Sequence, residues 1–277
     1  MENPVRLRTT FIEPPTATLN AVTPVALTIA GSDPSGGAGI QADLKTFHRL
    51  EAYGEAVITL ITVQNTLTVD RIEILSADLV RQQLDAVTSD IPPGAAKTGA
   101  LGNAAIVATI ADAAASFKWP LVVDPVLFSS KGSPLLDAEG RQAMIDLLLP
   151  RAFLLTPNLS EASNLSGISV TDIHAMRRAA EILSTRGPKN VLVKGGHLQG
   201  EAVDVLFCDG RFHEFAASRI LTKQTHGTGC TYSAAITAEL AKGTALPDAV
   251  ARAKTFITRA IQWAPGLGSG TGPINHF

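Results

Sequence analysis

Apolar runs of three to seven residues alternate with helix-spaced apolar positions from residue 25 to the end of the chain. Val25–Ala30 reads as a strand that ends in a Gly/Ser/Asp/Pro cluster, and residues 37–50 as a helix with Leu44, Phe47 and Leu50 on one face. Val57–Val63 is a second strand, and Val80, Leu84 and Val87 mark the next helix. Strands over Ala95–Thr98, Leu121–Val123, Phe153–Leu155 and Val191–Val193 follow. Between them lie helices over Asn103–Ala115 and Arg141–Leu149, and one marked by Ile173, Met176, Ala180 and Leu183. A hairpin, Ala202–Phe207 with Phe212–Phe215, turns at Asp209-Gly210. Helices over 228–241 and 247–263 close the pattern.

This alternation predicts an α/β fold of three layers, a mostly parallel sheet covered by helices on both faces. Ligands bind beyond the carboxyl ends of such strands. The polar clusters fall there: Gly31–Gly39, Lys97–Gly99, Asp124-Pro125, Thr156–Glu161 and Lys194–His197. Residues 1–24 carry four prolines and no apolar period, so they read as a flexible tail before a single domain over 25–277. A net charge of −2 offers no basic field for nucleic acid or an anionic membrane surface. No apolar run reaches membrane-span length, no secretory leader opens the chain, and two cysteines make no disulfide framework. A cytoplasmic protein is expected.

Thr225–Thr231 (THGTGCT) opens a helix, where free backbone N–H groups make an anion site, or else an ordinary flexible cap. Cys230 at that helix start is either a dipole-favoured thiolate or a small buried thiol. Lys194 before Gly195-Gly196 could meet phosphate oxygens or sit at a surface turn. Asn158 and Glu161, three apart, could bridge a hard cation or form a capping box; Asp124 before Pro125 has a similar turn-forming alternative. His226, inside the glycine loop, is the one histidine of interest. No P-loop, dinucleotide fingerprint, HExxH, paired CxxC or GxSxG is present.

Taken together, these segments resemble the ribokinase-like superfamily, and within it the hydroxymethylpyrimidine/phosphomethylpyrimidine kinases of thiamin synthesis. Residues 30–47 (AGSDPSGGAGIQADLKTF) carry the opening motif. Gln64-Asn65-Thr66, Asp124-Pro125-Val126, Thr156-Pro157-Asn158 with Glu161, Lys194–His197 and Thr225–Cys230 follow in order, so the resemblance runs from about residue 25 to the C-terminus. It implies two ATP-dependent phosphoryl transfers, first to the hydroxymethyl group of 4-amino-5-hydroxymethyl-2-methylpyrimidine and then to its monophosphate, by a homodimer. By the same resemblance Asp43 and Gln64 hydrogen-bond the pyrimidine, while Gly31 and Val126 line its pocket. Lys194, Thr228, Gly229 and Asn158 hold ATP, and Asp124 and Glu161 organise Mg²⁺ through water. The Gly227–Gly229 amides form the anion hole and Cys230 takes the aspartate base position of most sugar kinases. Monovalent-cation dependence is left open.

Ala100 stands where many members carry methionine, which widens the pocket wall toward rings such as pyridoxal. Ser129–Gly132 resembles a mobile flap with altered order. The alternatives are a pyridoxal kinase on the same fold, a non-catalytic nucleotide- or vitamin-binding regulator, and, more distantly, a hydride-transferring enzyme.

Overall fold

The computed structural model describes residues 22–129, 132–196, 198 and 200–277. Nearly all of the expected tail lies outside them, as do Ser130 and Lys131 of the flap segment and His197. One sheet of nine strands runs in the order β3-β2-β1-β4-β5-β6-β7-β8-β9. Its parallel centre comprises β2 (Tyr53–Gln64), β1 (Val25–Ser32), β4 (Ala95–Thr98), β5 (Leu121–Val123), β6 (Leu154–Leu155) and β7 (Asn190–Val193). Antiparallel strands finish both edges: β3 (Val69–Ile74) on β2, and β8 (Ala202–Cys208) with β9 (Arg211–Ala217) beyond β7.

Side chains alternate between the two faces along each strand. Leu27, Ile29, Leu121 and Val123 join one core cluster, whereas Val122 between the last two joins another. The first core packs under α2 (Ala77–Asp90), α3 (Ala104–Ala114), α4 (Ala138–Ala143), α5 (Leu159–Ser166) and α6 (Ile173–Ser184). The opposite face is covered by α1 (Gly39–Arg49), α7 (Thr228–Ala241) and α8 (Leu246–Gln262). In α7 every residue from Thr231 to Leu240 is buried. Its alanines and small polar residues let α1, α8 and the sheet approach it from all sides, so it carries no amphipathic stripe.

Two segments depart from expectation. The sequence pattern gives no sign of β3, an edge strand whose Asp70, Arg71, Glu73 and Ile74 are all exposed and which buries no residue fully. The helix expected over 141–149 starts earlier, capped by the Asp137 carboxylate accepting from the Gly140 N–H at 2.6 Å. It then widens into a π turn (Met144–Leu148) and ends in a 3₁₀ turn at Leu149–Arg151, where Pro150 has no N–H to continue the helix. The hairpin turns as expected, with Asp209 and Gly210 both at positive φ (49° and 71°).

Candidate active site

The carboxyl ends of β1, β4, β5, β6 and β7 meet the N-terminus of α7 around a cavity of about 1000 Å³. The parallel strands bring Gly31, Gly99, Asp124, Asn158 and Lys194 to one edge, and Gly227–Cys230 arrive from the opposite layer. Gly227 caps α7 at φ +78°, and a Cβ there would collide with the Gly37 carbonyl oxygen. The two glycine loops therefore touch backbone to backbone, a contact only glycine permits. No side chain caps α7: the Thr228 N–H turns back to the Thr225 carbonyl at 3.2 Å, and Gly229 and Cys230 follow it along the cavity wall. Beside them stands Lys194, whose ammonium a Cβ on Gly229 would approach to 3.4 Å.

The Lys194 ammonium donates to Asp124 at 2.9 Å, and the Thr156 and Ser233 hydroxyls donate to the same carboxylate, each at 3.2 Å. Burial alone would raise the Asp124 pKa; the two lysines, Lys194 and Lys97, outweigh it and hold the carboxyl below its ordinary value. Glu161 is the converse case. Burial pushes its pKa up to about 7 despite the pull of Lys194. Glu161 and Asn158 form a full capping box at α5, Asn158 N–H to Glu161 at 2.8 Å and Glu161 N–H to Asn158 at 2.9 Å, and both also line the cavity. Cap and site are the same pair of residues here.

Another stretch of the cavity wall is built from Gly31, Leu60, Gln64, Ala100 and Val126. A Cβ on Gly31 would lie 2.6 Å from Leu60 Cδ1 and 3.6 Å from the Ala100 methyl, so these three share one small patch. Next to it, Nε2 of His226 lies 2.7 Å from Asp33 Oδ2, and the Gln64 amide nitrogen 3.1 Å from the same ring atom. A third section comes from α8 and the β8–β9 side: Lys254, Ile257 and Ile261 line it with Asp204, Ile220 and Leu221. Asp204 accepts from Lys254 at 2.7 Å and from the Gly195 N–H at 2.9 Å.

A family model described as phosphomethylpyrimidine kinase matches residues 33–275, a span that includes every one of these loops except the end of β1. The chain belongs to the phosphomethylpyrimidine kinase family. It is 43% identical to the hydroxymethylpyrimidine/phosphomethylpyrimidine kinase of Bacillus subtilis, over 91% of this chain and 94% of that one. The Rhizobium meliloti protein of the same name is 48% identical, over 92% and 98%. Identity is also 48% to the thiamine biosynthesis bifunctional protein ThiED of Geobacter sulfurreducens, of whose length the chain spans 52%. Among solved structures, a Bacillus subtilis pyridoxal kinase in complex with ADP superposes with a TM-score of 0.85 at 39% identity, covering 92% of this chain and 98% of that one. A Clostridium difficile phosphomethylpyrimidine kinase gives 0.77 at 43%, covering 86% and 100%. The Bacillus subtilis and Rhizobium meliloti relatives and both solved structures are kinases, as the sequence motifs imply.

In this kinase the structure gathers Gly31, Gln64, Ala100, Asp124, Val126, Asn158, Glu161, Lys194 and Gly227–Cys230 around one cavity. One expectation needs correction. Asp43 does not reach the cavity: it is wholly buried, accepts from Lys97 with both oxygens at 2.8 Å, and takes the Thr28 hydroxyl at 2.6 Å. Its partner is a buried ammonium, which leaves it no exposed lone pair for a ligand. Of the two readings of Cys230, its surroundings favour the thiol. Burial pushes its thiol up to about 11, with Lys97 and the Gly39 backbone pulling only partly the other way. The reading also missed Asp33 as a site residue, along with the α8 section. Lys254, Ile257, Thr258 and Ile261 share helical spacing, but nothing in the local sequence distinguishes that stripe from core packing.

Proposed function

We propose that this chain transfers the γ-phosphoryl group of ATP to the hydroxymethyl oxygen of 4-amino-5-hydroxymethyl-2-methylpyrimidine and then phosphorylates the monophosphate. The observation that carries this reading is the meeting of Lys194 with the start of α7, which no side chain caps, in a cavity of about 1000 Å³. Phosphoryl transfer requires alignment and neutralisation of charge on the moving group, which amide N–H groups and an ammonium provide. In the first step the hydroxymethyl oxygen bonds to the γ-phosphorus while the bond from that phosphorus to the β,γ-bridging oxygen breaks and ADP leaves. The Cys230 thiol first gives its proton to solvent, and the thiolate so formed takes the hydroxymethyl proton. Gln64, Gly31, Ala100 and Val126 hold the ring; Thr228, Gly229, Asn158 and Lys194 hold the nucleotide phosphates.

Among the described residues no cluster of three or more His, Cys, Asp or Glu could hold a metal by itself. Two buried carboxylates beside Lys194 suit Mg²⁺, which keeps most of its waters and takes its remaining ligands from substrate phosphates. Asp124 and Glu161 would hold it through water, and it would neutralise phosphate charge. The reading extends to a cytoplasmic homodimer, supported by the biosynthetic relatives and by exposed Ile61, Val63 and Leu67 along the β2–β3 edge.

Pyridoxal phosphorylation is a second reading, favoured by the Ala100 methyl in the ring wall and by the pyridoxal kinase neighbours. One of these, from Staphylococcus aureus, was solved with AMP-PCP and pyridoxal. Coupled ADP release with Mg-ATP, offering the hydroxymethylpyrimidine, its monophosphate and pyridoxal in parallel, tests both. Turnover on the first two supports the primary reading. Preference for pyridoxal replaces the substrate, and silence on all three removes the kinase reading for this chain.

A further inference from the structure

His226 belongs to the glycine loop at the start of α7, and its ring meets Asp33. Its Nε2 lies 2.7 Å from Asp33 Oδ2 and is buried, 193 residues away from that partner in sequence. Asp33 is already an acceptor. Its Oδ1 takes the Ser35 N–H at 2.9 Å, and its Oδ2 takes the Ala38 N–H at 3.0 Å and the Ser35 hydroxyl at 2.9 Å. A carboxylate so engaged has no proton to give, so the hydrogen in the 2.7 Å contact sits on His226 Nε2. This holds whether the ring is neutral or charged, since both forms carry that proton.

Gln64 is held to this same nitrogen. With its amide nitrogen 3.1 Å from Nε2, two N–H groups would face each other, and the Gln64 N–H would find no acceptor in a nitrogen whose proton already goes to Asp33. The oxygen and nitrogen of a carboxamide are distinguished only by their partners. Turned by half a rotation, Gln64 places its oxygen at that distance, where it shares the Nε2 proton, and its NH₂ group turns to the cavity that Gln64 lines.

We propose that the Asp33–His226 pair orients the Gln64 carboxamide, so that this part of the ring wall presents an N–H donor and selects ligands with a hydrogen-bond acceptor at that point, such as an unprotonated ring nitrogen. His226 is then a positioning residue for ring recognition that links the opening glycine loop, the anion-hole loop and the ring wall. This rests on the kinase reading only for the identity of the ring; the orientation of Gln64 follows from the hydrogen bonds alone.

Two measurements test it. Long-range ¹⁵N–¹H NMR of the full-length, histidine-labelled protein, with His226→Gln to assign the signal, should show Nε2 protonated. A neutral ring with its proton on Nδ1 overturns the proposal, whatever the protein phosphorylates. The second is calorimetric binding of the hydroxymethylpyrimidine to wild type and to Gln64→Glu, with ADP binding as the control for an intact fold. The carboxylate of the variant can only accept, so it keeps the bond from His226 and opposes an acceptor on the ring. Pyrimidine affinity should fall at least about 30-fold with ADP affinity unchanged. An affinity within about threefold of wild type would mean that Gln64 offers its oxygen to the ligand, and the proposal fails. If wild type binds ADP but no pyrimidine, the substrate reading fails instead. The same pair of proteins is then compared on pyridoxal, where equal affinities overturn the donor assignment and weaker binding to Gln64→Glu supports it.

Discussion

Cys230 is a thiol whose surroundings oppose ionisation, and the consequence for catalysis can be worked out before any turnover is measured. Its pKa is pushed up to about 11, chiefly by burial. At pH 8 only about one molecule in a thousand carries the thiolate, against about a quarter for an ordinary cysteine. Alkylation by iodoacetamide at pH 8 should therefore be slower than that of a free cysteine by about 200-fold. A Cys208→Ser background removes the other thiol. The rate should climb about tenfold per pH unit until it levels near pH 11. If the same thiolate receives the hydroxymethyl proton, single-turnover phosphoryl transfer should rise in parallel, about 100-fold from pH 7 to 9. Cys230→Ala should lose that slope and lie about 10²–10⁴-fold lower. An alkylation midpoint at or below pH 8 would mean that the start of α7 overcomes burial, and the reasoning about the site's electrostatics would be wrong. A flat transfer rate with an unimpaired alanine variant would remove Cys230 from proton transfer altogether.

The remaining expectations are of three kinds. Asp43→Asn strands the Lys97 ammonium in the core, so it should lower stability by about 3–5 kcal/mol in urea unfolding. Substrate KM of the folded fraction should stay near wild type, and a raised KM with unchanged stability would restore a ligand contact to Asp43. Glu161, with its pKa near 7, is neutral on the acid side and a carboxylate above it. Apparent affinity for Mg-ATP should thus strengthen from pH 6 to 8, and the Glu161→Gln variant should lose that trend; a pH-independent KM in wild type would count against it. Ala100→Met fills the patch shared with Gly31 and Leu60. It should lower kcat/KM for pyridoxal by about tenfold or more while sparing the pyrimidine, since a few heavy atoms in a pocket wall are worth about 1–3 kcal/mol of discrimination. Equal losses on both rings would mean that Ala100 does not set the choice.

Much of the architecture could be read from order and period alone. Short apolar strands alternating with helices require a parallel sheet, and a parallel sheet aligns its carboxyl ends. That is why Asp124, Asn158 and Lys194, each one to three residues after an apolar run, are assignable to one edge from the sequence. The Thr228 helix start and the Asp209-Gly210 turn were legible for the same reason: backbone chemistry acts locally. What the tertiary structure alone decided depends on partners distant in sequence and on exclusion of water. Asp43 looks like a ligand group beside its motif, but Lys97, 54 residues away, claims both of its oxygens. Cys230 reads from the sequence as either a helix-start thiolate or a buried thiol, and burial together with the neighbouring carboxylates Asp43 and Asp124 favours the thiol. His226 stands out in the sequence only by its place in the glycine loop, and nothing local pairs it with Asp33 until the fold brings two glycine loops into backbone contact and sets their side chains against Gln64.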